Sequence, residues 1–399
     1  MTESQDGQRG SAGEVFTAFL KLGLTSFGGP IAHLGYFRDE LVTRRRWVSE
    51  QGYADIVALS QFLPGPASSQ TGFALGLIRA GWLGGFAAWA GFTLPSALLL
   101  VAFAYGAAAL EGPFAQGVLH GLELVAVAIV AQAVLGMARS LTPDRERAAI
   151  AVLAVLLVVL AGGVLGQTGA IVLGGLLGLW LCRGGDGAVA HLSDAGILPR
   201  VGATLVGAFV LLLVGLPLLA GTGQGMALFD AFYRAGALVF GGGHVVLPLL
   251  DAETVGRGWV GAEEFLAGYG ATQAMPGPLF TFAAYLGTIS ATPPNGLAGA
   301  AIALAAIFLP GLLLMAGALP FWSGLRRWPQ AQAAMRGANA AVVGLLGAAL
   351  YDPVFTSAVL TPLDFALALA GFVALVSWKV PPWMVVLGLA LAGGALALV

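Results

Sequence analysis

Charge is what this chain has least of. Only 10% of its 399 residues are charged, against 58% that are hydrophobic, where a soluble globular chain carries roughly 25% charged residues. That is too little to cover a water-facing surface, and the mean hydropathy of +0.89 agrees. Cysteine is nearly missing: Cys182 is the only one, which excludes an intrachain disulfide and disfavours a cysteine-based metal site. Alternating ten-residue strands are missing too. A membrane-crossing chain must satisfy its own backbone hydrogen bonds as helices or as a closed barrel, so helices remain. There is no Walker loop, HExxH, GxSxG or Cys/His metal spacing, and the four histidines are scattered over four segments. ATP-driven pumping by this chain alone is therefore disfavoured. Met1 to Gly13 lacks an apolar core and reads as a short disordered tail, not a cleaved signal peptide. The net charge of −2 is uninformative about partners.

What the chain has in abundance is apolar length and glycine. Continuous spans read as Gly81 to Leu110, Gln116 to Ala138, Arg147 to Gly163, Gly166 to Cys182 and Val201 to Ala220. They continue with Leu297 to Trp322, Gln332 to Leu350, Val354 to Ser377 and Pro382 to Val399. Each is read as a helix crossing a ~30 Å hydrocarbon core. The 60 glycines let membrane helices approach closely and permit breaks where a helix must unwind.

The chain repeats itself. Phe16 to Pro66 aligns with Phe229 to Pro278 after one deletion near Arg45. Phe16, Ala18, Phe19, Gly23, Phe27, Gly28, Gly29, Leu34, Glu40, Arg44, Trp47, Gln61, Pro64, Gly65 and Pro66 recur as identical residues, and Lys21 faces Arg234. Weaker matches follow: Leu94-Pro95 with Leu309-Pro310, and His120-Gly121-Leu122-Glu123 with Arg336-Gly337-Ala338-Asn339. Composition bias does not place matching Trp, Gln and Glu at matching intervals. The chain divides into a tail (1–13), an N-terminal half (14–182), a loop with a linking helix (183–221) and a C-terminal half (222–399).

Two segments open each half, and all four are interrupted. The breaks are Gly28-Gly29-Pro30, Pro64-Gly65-Pro66, Gly241-Gly242-Gly243 and Pro276-Gly277-Pro278. The flanking pieces suit half-helices that enter the membrane, turn and leave on the same side. With a cytoplasmic N-terminus, this reading gathers Arg38, Arg44, Arg45, Arg46, Arg79, Arg139, Arg145, Arg147, Arg183, Arg200, Arg326, Arg327 and Lys379 inside. Glu111, Asp251, Glu253 and Asp352 fall outside, with Arg257 the exception. That obeys the positive-inside rule. The fold expected is an all-α polytopic membrane protein of two repeats. Each repeat has two re-entrant half-helix pairs and then four spans, and one linking span joins them. Four spans plus one is odd, so the second repeat is inverted, with a substrate site near the midplane where broken helices meet.

A half-helix starting at mid-membrane points unpaired N–H groups and a partial positive charge at the centre, which suits an anion. Such starts fall at Pro30, Pro66, near His244 and at Pro278, and proline suits a first helical position. Ser68 and Ser69 add hydroxyls, and Gln61 and Gln273 recur beside the turns. The plainer alternative is that these glycines and prolines only shape kinked, tightly packed helices. Lys21 and Arg234 are candidates to counter a dianion, with snorkelling to the headgroups as the alternative. His244 is either a ligand contact, a proton carrier or a packed polar residue. Glu123, inside an apolar span with His120 on the same helix face, is the candidate proton carrier. Glu40 and Glu253 read as partners of Arg44 and Arg257.

The paired signatures FxxxGxxxFGGP, from Phe19 to Pro30, and QxxPGP, from Gln61 to Pro66, resemble the chromate ion transporter family. Phe240-Gly241-Gly242-Gly243 and Gln273 to Pro278 carry the second copy, so the chain resembles the long, two-domain form. The resemblance implies a bacterial inner-membrane exporter of chromate driven by the proton motive force. Gly243 departs from the family's proline at the position of Pro30. Chromate and sulfate are both tetrahedral dianions, so a sulfate or other oxyanion transporter stays open. So do a passive anion channel of the same fold and a non-transporting scaffold. The expected partners are a chromate- or sulfate-like dianion, protons and the lipid bilayer. No nucleic acid and no cofactor is expected, and homo-oligomer formation is left open.

Overall fold

The computed structural model describes residues 10–109, 111–183, 197–325 and 328–398. Expectations for most of the tail, Leu110, the 184–196 loop, Arg326, Arg327 and Val399 lie outside the described residues. Among the described residues there are helices and turns and no strand.

The first half opens with α1 (Ala12–Thr25), whose start is fixed by the Ser11 hydroxyl accepting the Glu14 N–H. Then come α2 (Gly29–Phe37), a π-helical turn (Arg38–Arg44) and α3 (Glu50–Phe62), capped by Ser49. The helix α4 (Ala67–Ala109) is broken at Ala80 and Gly81, where the backbone leaves helical angles. This separates a half-helix from the first full span where the sequence places the boundary. α5 (Pro113–Leu141), α6 (Arg145–Ala161), α7 (Gly163–Leu181) and α8 (Pro199–Leu219) follow. The second half repeats the order with α9 (Gln224–Ala237), α10 (Val246–Thr254), α11 (Ala262–Thr272) and α12 (Phe282–Ile289). Short 3-10 turns, Gly243–Val245 and Leu279–Thr281, precede α10 and α12. It continues with α13 (Gly296–Ala318), α14 (Trp322–Leu325), α15 (Pro329–Ala349), α16 (Thr356–Ala358), α17 (Pro362–Val376) and α18 (Pro382–Leu396).

Six of the described helices are long and apolar enough to cross a membrane. The expected span from Val354 to Ser377 is not one helix. Val354 belongs to a π-helical turn, Leu350–Phe355, which contains Pro353 and leads into α16. The next helix starts afresh at Pro362, because Thr361 and Asp364 cap each other's backbone N–H groups, a capping box. α17 and α18 have 15 residues each, a rise of ~22 Å and short of a ~30 Å core.

Close packing explains two recurring glycines. A Cβ on Gly23 would stand 2.6 Å from the Gly91 carbonyl oxygen, and one on Gly236 would stand 2.1 Å from that of Ile307. The first half-helix of each repeat thus lies backbone to backbone on α4 or α13. Helices in lipid associate through such small-residue contacts, since lipid tails leave no hydrophobic drive between them.

Candidate site at the broken helices

The four turns meet. Gly28, Gly29, Gly65, Gly241 and Gly277 hold φ of 100°, 77°, 122°, 73° and 102°, a region that side chains other than glycine's rarely allow. The Gly65 N–H donates to the Val239 carbonyl at 2.8 Å, and the Gly277 N–H donates to the Ser26 carbonyl at 2.9 Å. Val239 and Ser26 each precede the Phe-Gly-Gly of their own repeat. Each Pro-Gly-Pro turn therefore closes on the Phe-Gly-Gly turn of the other half, and the two contacts are reciprocal. Pro66 Cδ packs on Gly311 of α13, and Ser96 of α4 lies beside Gly277, so the halves are interlocked. Gln70, the amide in the helix start after Pro66, ties the first turn down by donating to the Pro64 and Gly311 carbonyls at 2.9 and 3.1 Å. Gly243 lies where the halves face each other: a Cβ there would stand 3.3 Å from Pro30 Cγ. Proline at one of the two matching positions leaves little room at the other, which accounts for the departure at Gly243.

A cavity of ≈ 170 Å³ opens at this junction. Among the predicted site residues Gly28, Gly29, His244, Gln273 and Gly277 line it, and Gln132 of α5 joins them. At ~30 Å³ per water, the cavity has room for about five waters, and a tetrahedral oxyanion fits. Its polar side chains are those of Gln132, His244, Thr272 and Gln273. Gln273 lines the cavity, and its Nε2 is buried without a hydrogen-bond partner. His244 Nδ1 shares a 2.8 Å hydrogen bond with the Tyr269 hydroxyl, which fixes the ring. Gln132 is an amide deep in an apolar span, a signal the sequence held.

Other predicted residues stand behind the lining. Pro278 precedes the 3-10 turn that opens into α12, and its carbonyl accepts the Thr281 hydroxyl. Pro276 is buried. Gly241 and Gly242 lie against Leu141 and Met137 of α5. Ser68 and Ser69 are buried in the first turn after Pro66, with Ser68 Oγ 3.4 Å from His33 Nδ1. Phe27 is half-buried, and Gln61 is exposed at the end of α3.

Lys21 and Arg234 lie outside the lining, each in an ion-pair cluster of its own repeat. Lys21 Nζ is 3.0 Å from Glu40, which also takes Arg44 at 3.2 Å and Arg45 at 2.9 Å. Arg234 is 3.0 Å from Glu253, which takes Arg257 at 2.7 Å, and Arg234 also pairs with Asp230. The expected partnership of Glu40 with Arg44 and Glu253 with Arg257 is there, although both carboxylates are buried and not at the surface. Glu40 sits in the loop between half-helices. Burial pushes its carboxyl up, and Lys21 and Arg45 outweigh burial and hold it at about 2.

The Glu123 carboxylate lies 3.2 Å from His120 Nδ1, as the spacing predicts. The structure adds a third member: His120 Nε2 is 3.0 Å from Asp364 on α17. Thr361-Pro362-Leu363-Asp364 carries a local cap signature, but its meeting with a histidine 244 residues away has no local signal.

Interlocked broken helices around a polar cavity, within a helical membrane bundle, fit a membrane transporter. A family model described as "Chromate transporter" matches residues 13–179 and 226–394, and the chain belongs to that family. A chromate transport protein of Pseudomonas aeruginosa is 29% identical over 385 residues, 92% of this chain and 87% of its own length. Another, from Cupriavidus metallidurans, is 28% identical over 410 residues, 98% of each chain. No solved structure matches.

Proposed function

We propose that this protein exports chromate, or a sulfate-like tetrahedral dianion, across a bacterial cytoplasmic membrane in exchange for protons. The two repeats are inverted, the N-terminus is cytoplasmic and the C-terminus outside. The observation that carries the reading is the turn cavity. Both halves contribute broken-helix turns to it, and Gln273, one of its lining residues, has an Nε2 with no protein partner. An anion with four oxygens satisfies that donor together with helix-start N–H groups, whose partial positive charge favours it. Lys21 and Arg234 support the site from a distance by holding each hairpin in shape, their charge already matched by Glu40 and Glu253.

Glu123 is the group that takes up the coupled proton. It lies on α5, the helix that supplies Ile129 and Gln132 to the cavity, six to nine residues or ~9–14 Å along the axis. A second link runs through α11. A Cβ on Gly270 would stand 2.1 Å from the Leu122 carbonyl oxygen, and α11 ends at Thr272, whose side and whose neighbour Gln273 line the cavity. Protonation at Glu123 and anion occupancy therefore act on the same two helices, as coupling requires when two global states bind protons differently.

The test is equilibrium binding of labelled chromate to the purified protein. Gln273→Leu removes a hydrogen bond to a charged group, worth about 1.5–3 kcal/mol, so affinity falls about tenfold or more. Unchanged affinity would move the anion away from this cavity.

A further inference from the structure

We infer that His120 and Asp364 form a proton path connecting Glu123 to a second cavity, on the outer face of the molecule. The inference rests on the reading of Glu123 as the coupling group and extends it to the route and side of proton entry.

A cavity of ≈ 410 Å³ lies between α5, α17 and α18. Gln116, His120, Asp364, Leu367, Gly393 and Leu396 are among the residues that line it. Glu123 does not: it is 6% exposed and stands behind His120. His120 bridges the gap with both ring nitrogens, Nε2 at 3.0 Å from Asp364 Oδ1 and Nδ1 at 3.2 Å from Glu123 Oε2. An imidazole held this way takes a proton at Nε2 from the cavity side while releasing one from Nδ1 to Glu123. The ring then resets by turning, which brings its remaining N–H back to the Glu123 side, and no other reactant is consumed. Both nitrogens are committed to carboxylates, which leaves no lone pair for a metal, and among the described residues no His/Cys/Asp/Glu group is arranged to hold one.

Asp364 is itself positioned. It caps α17 by accepting the Leu360 and Thr361 N–H groups at 3.1 and 2.8 Å. Its second oxygen is thereby free to face His120. The other ionisable groups on elements packed against α5 are Glu263, Glu264 and Tyr269 on α11, Arg336 on α15, and Tyr351 and Asp352 after it; the Tyr269 hydroxyl is taken by His244. Glu263 adds a negative charge felt at Glu123, and Glu264 caps Gly261. Arg336 is occupied by the Cys182 carbonyl and Asp352 by the Thr356 hydroxyl. α18 carries no ionisable residue. The side of entry follows from the helix ends at the cavity. The starts of α5 and α17 and the end of α18 lie at the cavity, whereas Arg139 and Lys379 lie at the opposite ends of these helices, so the proposed topology turns the cavity outward.

The experiment measures accumulation of labelled chromate in inverted vesicles under an imposed pH gradient, with Glu123→Gln run beside the other variants. His120→Ala and Asp364→Asn, the latter keeping the cap, should each lose accumulation about tenfold or more. Imidazole enclosed in the vesicle lumen, which the outer face meets in inverted vesicles, should restore His120→Ala with the pH gradient held equal. Thiazole, a ring of similar size that is a far weaker base, should not. Should the alanine variant fail to fold, His120→Gln decides, because it keeps hydrogen bonds but passes no proton. Wild-type accumulation by His120→Gln, or equal rescue by both rings, overturns the path. If Glu123→Gln alone accumulates like wild type, the reading of Glu123 itself falls. If Glu123→Gln loses accumulation while His120→Gln and Asp364→Asn keep it, Glu123 stands and the path falls.

Discussion

At the scale of the residue, the recurring glycines divide by cause. Gly29 has open space where a Cβ would go, yet its φ is 77°, so conformation and not crowding forbids a side chain. Gly29→Val should reach the membrane and lose transport, measured as labelled chromate uptake, because a β-branched residue is strongly disfavoured there. Wild-type uptake would take this turn out of the site. Glu40 illustrates the opposite kind of residue, one whose partners matter more than its backbone. Removing its charge leaves Lys21 and Arg45 unmatched, and Glu40→Gln should cost about 1–3 kcal/mol of stability, less than a fully buried pair because the cations reach water. Its depressed pKa of about 2 sets the sign of the pH dependence. The contribution is fully present above the ordinary carboxylate range and is lost only as pH falls through the folded value. Thermal unfolding should therefore show a constant gap between wild type and Glu40→Gln across neutral pH, closing only in strong acid. The residue types at this cluster were legible from their recurrence. The Lys21–Glu40 contact was not, because a π-helical turn brings together residues on two different half-helices.

At the scale of the element, the breaks were the most legible feature. Gly-Gly-Pro and Pro-Gly-Pro act locally, and the structure breaks its helices at all four. The misplaced span from Val354 has the same lesson in reverse. Hydropathy runs straight across Pro353 to Thr361, while the backbone obeys the proline and the capping box. What no local pattern reports is which elements touch. The reciprocal hydrogen bonds of Gly65 and Gly277, and the crossing of α11 over α5, join residues far apart in sequence. The α11–α5 crossing carries a prediction. Gly270→Ala places a methyl group 2.1 Å from the Leu122 carbonyl oxygen, so the helices must part, at about 1–3 kcal/mol. Proton-driven uptake should fall in step with that loss. Gly136→Ala, on α5 with open space around it, should keep uptake and gain slightly in helix stability. Equal behaviour of the two variants would deny the crossing any special part.

At the scale of the whole molecule, the proposed transporter has inverted halves that share one anion site and draw on a proton gradient. Orientation can be read directly. Thr43 and Thr292 are both exposed. Single cysteines there, in a Cys182→Ser background, should label with an impermeant thiol reagent from opposite sides of the membrane. Labelling from one side would contradict the inversion. The central claim is tested by uptake of labelled chromate into inverted vesicles, with and without an imposed pH gradient, in competition with sulfate, molybdate and phosphate. The account predicts accumulation above the medium only while the gradient stands, reduced by the tetrahedral dianion that the site accepts best. Uptake that merely follows the electrochemical gradient of chromate and ignores the pH difference would contradict it and leave a passive anion channel in its place.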